Sequence, residues 1–238
     1  MKPILCRPGG KKLLAKEILK NIPNHKVYVE PFVGTGRIFF TKNPAKKNVL
    51  GDNDKELIRF YKDVQSKQRL TCNLTTSKKK FERAKKKKVK SPCDYARVTL
   101  ASFACAGKYY SKQDRKVKGK VKLDNQIQRL KKAKLTSKDF KETIKKYDSP
   151  DTFFYLDPPY HDKSCEYPRG SCDVKPEDVA NAVKKIKGKF LLSYNDHPKV
   201  RKTFCKKYSC KRVQTKYSAN KNKGKQQEAR KELLIKNY

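Results

Sequence analysis

Short apolar runs alternate with amphipathic stretches along most of this chain. Leu14, Ile18 and Ile22 recur at helical spacing ahead of Pro23, which predicts a helix over residues 11–22 after a Gly9-Gly10 turn. Val27 to Phe32 reads as a buried strand, followed by the loop Val33-Gly34-Thr35-Gly36 and a short helix from Arg37. Asn48 to Asp52 predicts a second strand, and Asp54 to Val64 a helix with Leu57, Ile58 and Tyr61 on one face. Strand, glycine loop, helix and a strand ending in an acid make the βαβ unit of a doubly wound sheet. Helical rhythm resumes over Ser137 to Tyr147, with Ser137 as N-cap. A strand is expected at Thr152 to Leu156 and a helix at Pro176 to Lys187, stopped by Gly188. Phe190 to Tyr194 reads as a strand and Pro198 to Lys207 as a helix. Lys211 to Thr215 and Leu233 to Lys236 read as the last strands.

The rhythm breaks from residue 66 to about residue 125. Lysine runs at 78–80 and 85–88 are followed by an apolar patch, Val98 to Ala106, and then by Lys108-Tyr109-Tyr110 and Arg115. The expected organisation is an α/β domain with a Rossmann-like doubly wound sheet, built from residues 1–65 and 136–238. A basic, mostly helical subdomain, residues 66–135, is inserted between the halves.

Charge sharpens this picture. The 238 residues carry 62 Lys+Arg against 23 Asp+Glu, a net charge of +39. That excess implies a polyanionic partner, with nucleic acid the first candidate. A membrane surface is disfavoured, because no long apolar stretch and no strongly amphipathic basic helix is present. Lysine far outnumbers arginine, which suits phosphate neutralisation more than bidentate base reading. The eight cysteines, at 6, 72, 93, 105, 165, 172, 205 and 210, include no C-x2-C pair, and there are three histidines. No metal site is expected. Met1-Lys2-Pro3 leads into a charged segment, so no signal peptide is expected. The thiols are therefore expected to be free, in an intracellular, reducing setting: cytoplasm, nucleoid or a viral factory.

Two constellations carry chemistry. Asp157-Pro158-Pro159-Tyr160 follows the apolar run Phe153-Phe154-Tyr155-Leu156. Each proline fixes φ and lacks an N–H, so the turn is stiff and its carbonyls are free to accept. A carboxylate beside a proline carbonyl suits an –NH2 group, and Tyr160 offers a face for a ring. A rigid turn alone would also explain the prolines. Gly34-Thr35-Gly36 lies between a strand and a helix, where glycine lets the backbone approach a ligand. The third glycine of a dinucleotide fingerprint is replaced by Phe39, so a structural turn explains the loop equally well. Asp52, at the end of the next strand, is placed to accept from ribose hydroxyls. A retained ribose acid without a phosphate fingerprint suits a nucleoside such as S-adenosylmethionine.

In order, Gly9-Gly10-Lys11, Glu30-Pro31-Phe32-Val33-Gly34-Thr35-Gly36, Gly51-Asp52-Asn53-Asp54 and Tyr155-Leu156-Asp157-Pro158-Pro159-Tyr160 resemble the Dam-type (D12 class, alpha group) DNA adenine-N6 methyltransferases. Leu192-Ser193-Tyr194-Asn195-Asp196 and the segment Glu232 to Tyr238 extend the likeness over nearly the whole chain. The family usually has an aromatic residue two positions before Gly-Gly-Lys, where Arg7-Pro8 stand here. The resemblance implies methyl transfer from S-adenosylmethionine to the exocyclic amine of an adenine flipped out of duplex DNA. It makes Asp157, Pro158, Pro159 and Tyr160 the catalytic set. It puts Arg7, Lys11, Glu30, Phe32, Gly34, Thr35, Gly36, Asp52 and Asp157 at the cofactor. Lys108, Tyr109 and Arg115 are the candidate DNA contacts. A companion restriction nuclease or a homodimer is compatible with this reading. Two alternatives stay open: a decayed methyltransferase fold that binds nucleic acid without turnover, and an amino-methyltransferase acting on RNA or a protein amide.

Overall fold

The computed structural model describes residues 1–69, 72, 76–111, 123–160, 174–215 and 230–238. Nine helices are described: α1 (Ala15–Lys20), α2 (Arg37–Thr41), α3 (Lys55–Lys67), α4 (Lys78–Lys86), α5 (Pro92–Leu100), α6 (Asp124–Lys131), α7 (Phe140–Tyr147), α8 (Pro176–Val183) and α9 (Pro198–Phe204). The strands are β1 (Val27–Glu30), β2 (Lys47–Gly51), β3 (Ala133–Thr136), β4 (Thr152–Leu156), β5 (Lys189–Asn195), β6 (Ser209–Thr215) and β7 (Arg230–Lys236). They form one sheet in the order β3-β2-β1-β4-β5-β7-β6. β1 to β5 are parallel, and β7 runs antiparallel between β5 and β6.

Alternation along the strands divides the core. Tyr28, Leu50, Phe153 and Tyr155 face a layer that includes Ile18, Phe39, Leu57 and Ile127. Their neighbours Val29, Val49, Phe154 and Leu156 face the opposite layer with Phe140, Val179 and Val200. Both faces of the parallel strands are thus covered, so these strands read as apolar runs. In the stretch from α3 to β3, Phe81, Ala84 and Val98 form a small separate core between α4 and α5. α5 also reaches the main body, where Tyr95 packs 6.3 Å from Phe60.

The strand order reverses between β1 and β4. Chains diverging from adjacent strand ends leave a crevice at such a point. Glu30 closes β1 and Asp157 follows β4, so both carboxyls come to that crevice.

Several expectations need correction. Ala133–Thr136 pairs with β2 as an edge strand, so residues 133–135, expected in the inserted subdomain, belong to the sheet. Its Ala-Lys-Leu-Thr pattern is too short and too polar on one face to stand out. The N-cap of α7 is Asp139, whose carboxylate accepts from the Lys141 N–H at 2.8 Å, and not Ser137. Gly188 does not stop α8, which ends at Val183. A Cβ at Gly188 would lie 2.3 Å from the Thr152 carbonyl, so glycine serves a close backbone approach. The thiols are not free among the described residues. Disulfides join Cys6 to Cys105, Cys72 to Cys93 and Cys205 to Cys210. Cys6 and Cys105 are 99 positions apart, yet the fold brings their Cα atoms to 5.7 Å, a separation at which a bridge can form. Cys165 and Cys172 lie outside the described residues. No helix among the described residues is long and apolar enough to cross a membrane.

Candidate active site

The glycine loop is built from both sides. The Val33 N–H donates to the Gly51 carbonyl at 2.8 Å, and the Gly36 N–H to Val33 at 2.6 Å. Gly36 caps α2 at φ +65°, in the left-handed region, and a Cβ there would meet the Phe40 ring at 3.1 Å. The Gly34 N–H donates to Asp52 Oδ2 at 2.9 Å, and the Tyr61 hydroxyl donates to the Gly34 carbonyl at 3.0 Å. Asp52 Oδ1 accepts from the Asp54 N–H at 2.9 Å, so its carboxylate is held by backbone on each oxygen. Burial raises the Asp52 pKa against the lowering effect of Arg7.

Arg7 takes a place that spacing did not suggest. Its Nη2 donates to Asp54 Oδ2 at 2.7 Å, and the Tyr95 hydroxyl donates to the same oxygen at 2.9 Å. Asp54 Oδ1 meanwhile accepts the Glu56 and Leu57 N–H groups at the start of α3. One buried carboxylate thus ties together the N-terminal segment, α3 and the inserted α5. Burial opposes the Arg7 charge, but Tyr95, Asp52 and Asp54 together raise its pKa above the ordinary value.

Asp157 sits in the crevice with Lys11. Lys11 Nζ is 2.6 Å from Asp157 Oδ1, and the Ser193 hydroxyl donates to the same oxygen at 3.1 Å. Tyr155, on β4, bonds Ser193 at 2.9 Å, which anchors that hydroxyl from the sheet. Burial raises the Asp157 pKa and Lys11 works against it. Lys11 is itself held well above its ordinary value by Asp157 despite burial. Tyr160 stacks on Tyr194 with ring centroids 6.2 Å apart, and Lys11 Nζ stands 4.7 Å from the Tyr160 centroid. Glu30 accepts from the Tyr28 hydroxyl at 2.8 Å, and burial pushes its carboxyl up to about 8.

One cavity gathers these groups. Arg7, Lys11, Glu30, Phe32, Gly34, Thr35, Asp52, Asp157 and Pro159 all line it. Gly36, Pro158 and Tyr160 are not among its lining residues: Gly36 forms the turn before α2, Pro158 is buried, and Tyr160 has Lys11 Nζ 4.7 Å from its ring centroid. A family model matches here in two stretches, residues 8–98 and 95–219: "D12 class N6 adenine-specific DNA methyltransferase". The chain belongs to that family.

Two curated relatives agree with it. The Type II methyltransferase M.MjaIII of Methanocaldococcus jannaschii is 28% identical over 202 residues, 67% of this chain and 69% of that protein. The DNA N-6-adenine-methyltransferase of Escherichia phage P1 is 40% identical over 57 residues, 24% of this chain and 7% of that protein. Among solved structures, the putative methyltransferase yhhF of Escherichia coli overlaps 99% of this chain and 90% of its own. Its identity is 10% and its TM-score 0.44. SMU.1697c of Streptococcus mutans, a putative methyltransferase in complex with SAH, overlaps 94% and 96% at 13% identity and a TM-score of 0.43. The strand order, and not these low-identity matches, carries the fold.

The candidate DNA contacts of this D12 methyltransferase are set apart from the carboxyl cluster. Lys108 and Tyr109 follow a 3-10 turn, Phe103–Cys105, on an exposed loop, where Tyr109 is 73% exposed. Lys85 Nζ donates to the Lys108 carbonyl at 2.6 Å and lies 6.0 Å from the Tyr109 ring, so α4 carries the loop. Lys108 lines a second cavity with Lys55, Arg59, Lys85 and Lys88, which meets the first at Arg7, Pro8 and Asn53. Arg115 lies outside the described residues.

Sequence reading missed four groups. Asp139 and Phe140 line the first cavity, with Phe140 5.0 Å from Phe32. Both follow β3, and recognising that strand would have exposed them as sheet-end residues. Ser193 and Glu232 come to Asp157 and Lys11 from β5 and β7. Their signal was only membership in later motif segments.

Proposed function

We propose that this chain transfers a methyl group from S-adenosylmethionine to the exocyclic nitrogen of an adenine rotated out of duplex DNA. The observation that carries the reading is Asp157, turned by two prolines off the end of β4 into the cavity that also holds Asp52 and the Gly34 backbone. The donor set fits the cofactor: a backbone-held carboxylate for ribose hydroxyls, a carboxyl at Glu30 for an ammonium group, and Phe32 and Phe140 as apolar walls. When bound, S-adenosylmethionine supplies an electrophilic methyl group on sulfonium sulfur.

The protein's own part is positioning. Asp157 and the Pro158 carbonyl would accept the two amine hydrogens and hold the nitrogen lone pair in line with the methyl. Tyr160, braced by Tyr194, would support the ring of the extruded base. Extrusion costs a few kcal/mol, which phosphate contacts must offset. The α4–α5 unit with its Lys108–Tyr109 loop would make such contacts and act as the target-recognition subdomain.

The test is methyl transfer from labelled S-adenosylmethionine into DNA lacking adenine methylation, followed by nucleoside analysis. Wild type should yield N6-methyladenine. Asp157→Ala should lose at least about 100-fold in turnover while still folding and binding duplex DNA. Comparable turnover by Asp157→Ala would remove Asp157 from the chemistry. Label appearing only in RNA or protein would move the activity to another acceptor.

A further inference from the structure

Glu232 has no part in the reading above, yet it lies at the centre of the site. It stands on β7 opposite Asn195, the last residue of β5. Its carboxylate is 7% exposed and lies 3.9 Å from Lys11 Nζ, whose side chain is 5% exposed. Lys11 Nζ is also 3.4 Å from the Gly9 carbonyl and 2.6 Å from Asp157. A single buried ammonium therefore serves two carboxylates, the buried Glu232 and the half-buried Asp157, and unequally.

That inequality conflicts with the proposed chemistry, on which this inference rests. Asp157 must accept a hydrogen from a neutral amine, but its Oδ1 is already engaged by Lys11 and Ser193. Lys11 also stands over the Tyr160 ring, the face assigned to the base. A base that docks on Asp157 from the Oδ1 side, over the Tyr160 face, must displace the ammonium. Driving a buried ammonium away from its counter-ion with nothing to receive it is strongly unfavourable. Glu232 is the receiver: closing 3.9 Å to the about 2.8 Å of a charge-assisted bond requires only a small swing of a flexible side chain.

We infer that Glu232 is a positioning residue that takes over the Lys11 ammonium when adenine engages Asp157. The hand-over frees Asp157 and uncovers Tyr160 without stranding a charge. Before it, Lys11 keeps Asp157 neutralised, so the site carries a stand-in for the substrate amine within its own chain.

The test reads the Asp157–amine contact by binding, independently of turnover. Duplexes carry the methylated site found with wild type, with either adenine or purine, which lacks the amine, at the target position. Wild type with cofactor should favour adenine by about tenfold or more, the worth of one hydrogen bond to a charged group. Glu232→Gln keeps the shape but cannot hold the ammonium, so its preference should fall to about twofold or less. Removing the ammonium as well, in Lys11→Met/Glu232→Gln, should restore the preference. A preference unchanged in Glu232→Gln, or lost and not restored in the double variant, overturns the inference. Should Glu232→Gln fail to fold, Lys11→Met alone decides: its adenine preference should be kept or raised, and a fall overturns the hand-over. Absence of any preference and any methyl transfer in wild type would instead strike the proposed function itself.

Discussion

Glu30 shows how burial sets the chemistry of a single residue in this fold. It ends β1 beneath the cavity, with the Tyr28 hydroxyl as its donor, and its carboxyl titrates near 8 where an ordinary glutamate titrates at 4.5. The folded protein therefore holds this proton more tightly than the unfolded chain does. The resulting stabilisation is complete below 4.5 and is lost as pH rises toward 8. Thermal unfolding of wild type should accordingly fall across that window, and Glu30→Gln, which cannot titrate, should flatten the fall. Parallel curves for the two proteins would mean that Glu30 keeps an ordinary pKa. Asp52 and Asp157 were legible as sheet-end acids. Their partners were not: which oxygen meets Gly34, Ser193 or Lys11 depends on contacts between distant segments.

At the scale of elements, the glycine loop is the most constrained piece. Gly34 and Gly36 both have positive φ, but only a Cβ at Gly36 meets a neighbour, the Phe40 ring, while at Gly34 it meets open space. Gly34→Ala should cost only backbone strain, about 1–2 kcal/mol. Gly36→Ala should cost more, because Phe40 is buried in the core and must shift as well. Thermal unfolding of the two variants compares them directly, and equal shifts would show that Phe40 yields freely. Of the helices with clear apolar periodicity, α3 was legible with nearly correct boundaries, while α1, expected over 11–22, spans only Ala15–Lys20. β3 was not, because an edge strand of four residues with two apolar positions carries too little pattern.

At the scale of the whole molecule, charge and covalent links dominate. A net charge of +39 is far more than solubility needs, and α4 alone presents lysines at 78, 79, 80, 85 and 86. Binding to DNA of unrelated sequence should therefore weaken steeply with salt. A complex neutralising about 6–10 phosphates loses roughly three to five orders of magnitude in affinity between about 50 and 200 mM. A shallow dependence in filter-binding or anisotropy measurements would take these lysines off the interface. The Cys6–Cys105 bridge and the Arg7–Asp54–Tyr95 contacts join the segment leading to Lys11 with the inserted helices. The cavity that holds Asp52 and Asp157 and the basic cavity share one wall, at Arg7, Pro8 and Asn53.

By itself, the order of apolar runs, glycines and acids determined the doubly wound sheet, the crevice at its strand ends and the family. Those properties are local, since a strand's alternation and a turn's φ requirements are written in neighbouring residues. The tertiary structure alone decided that the six described cysteines pair, that Arg7 answers Asp54, and that Glu232 and Lys11 meet beside Asp157. These are contacts between opposite parts of the chain, and no spacing encodes them. The last of them exists because the sheet order sets β4 beside β5 and lays β7 along β5, so that Asp157 and Glu232 reach the same ammonium.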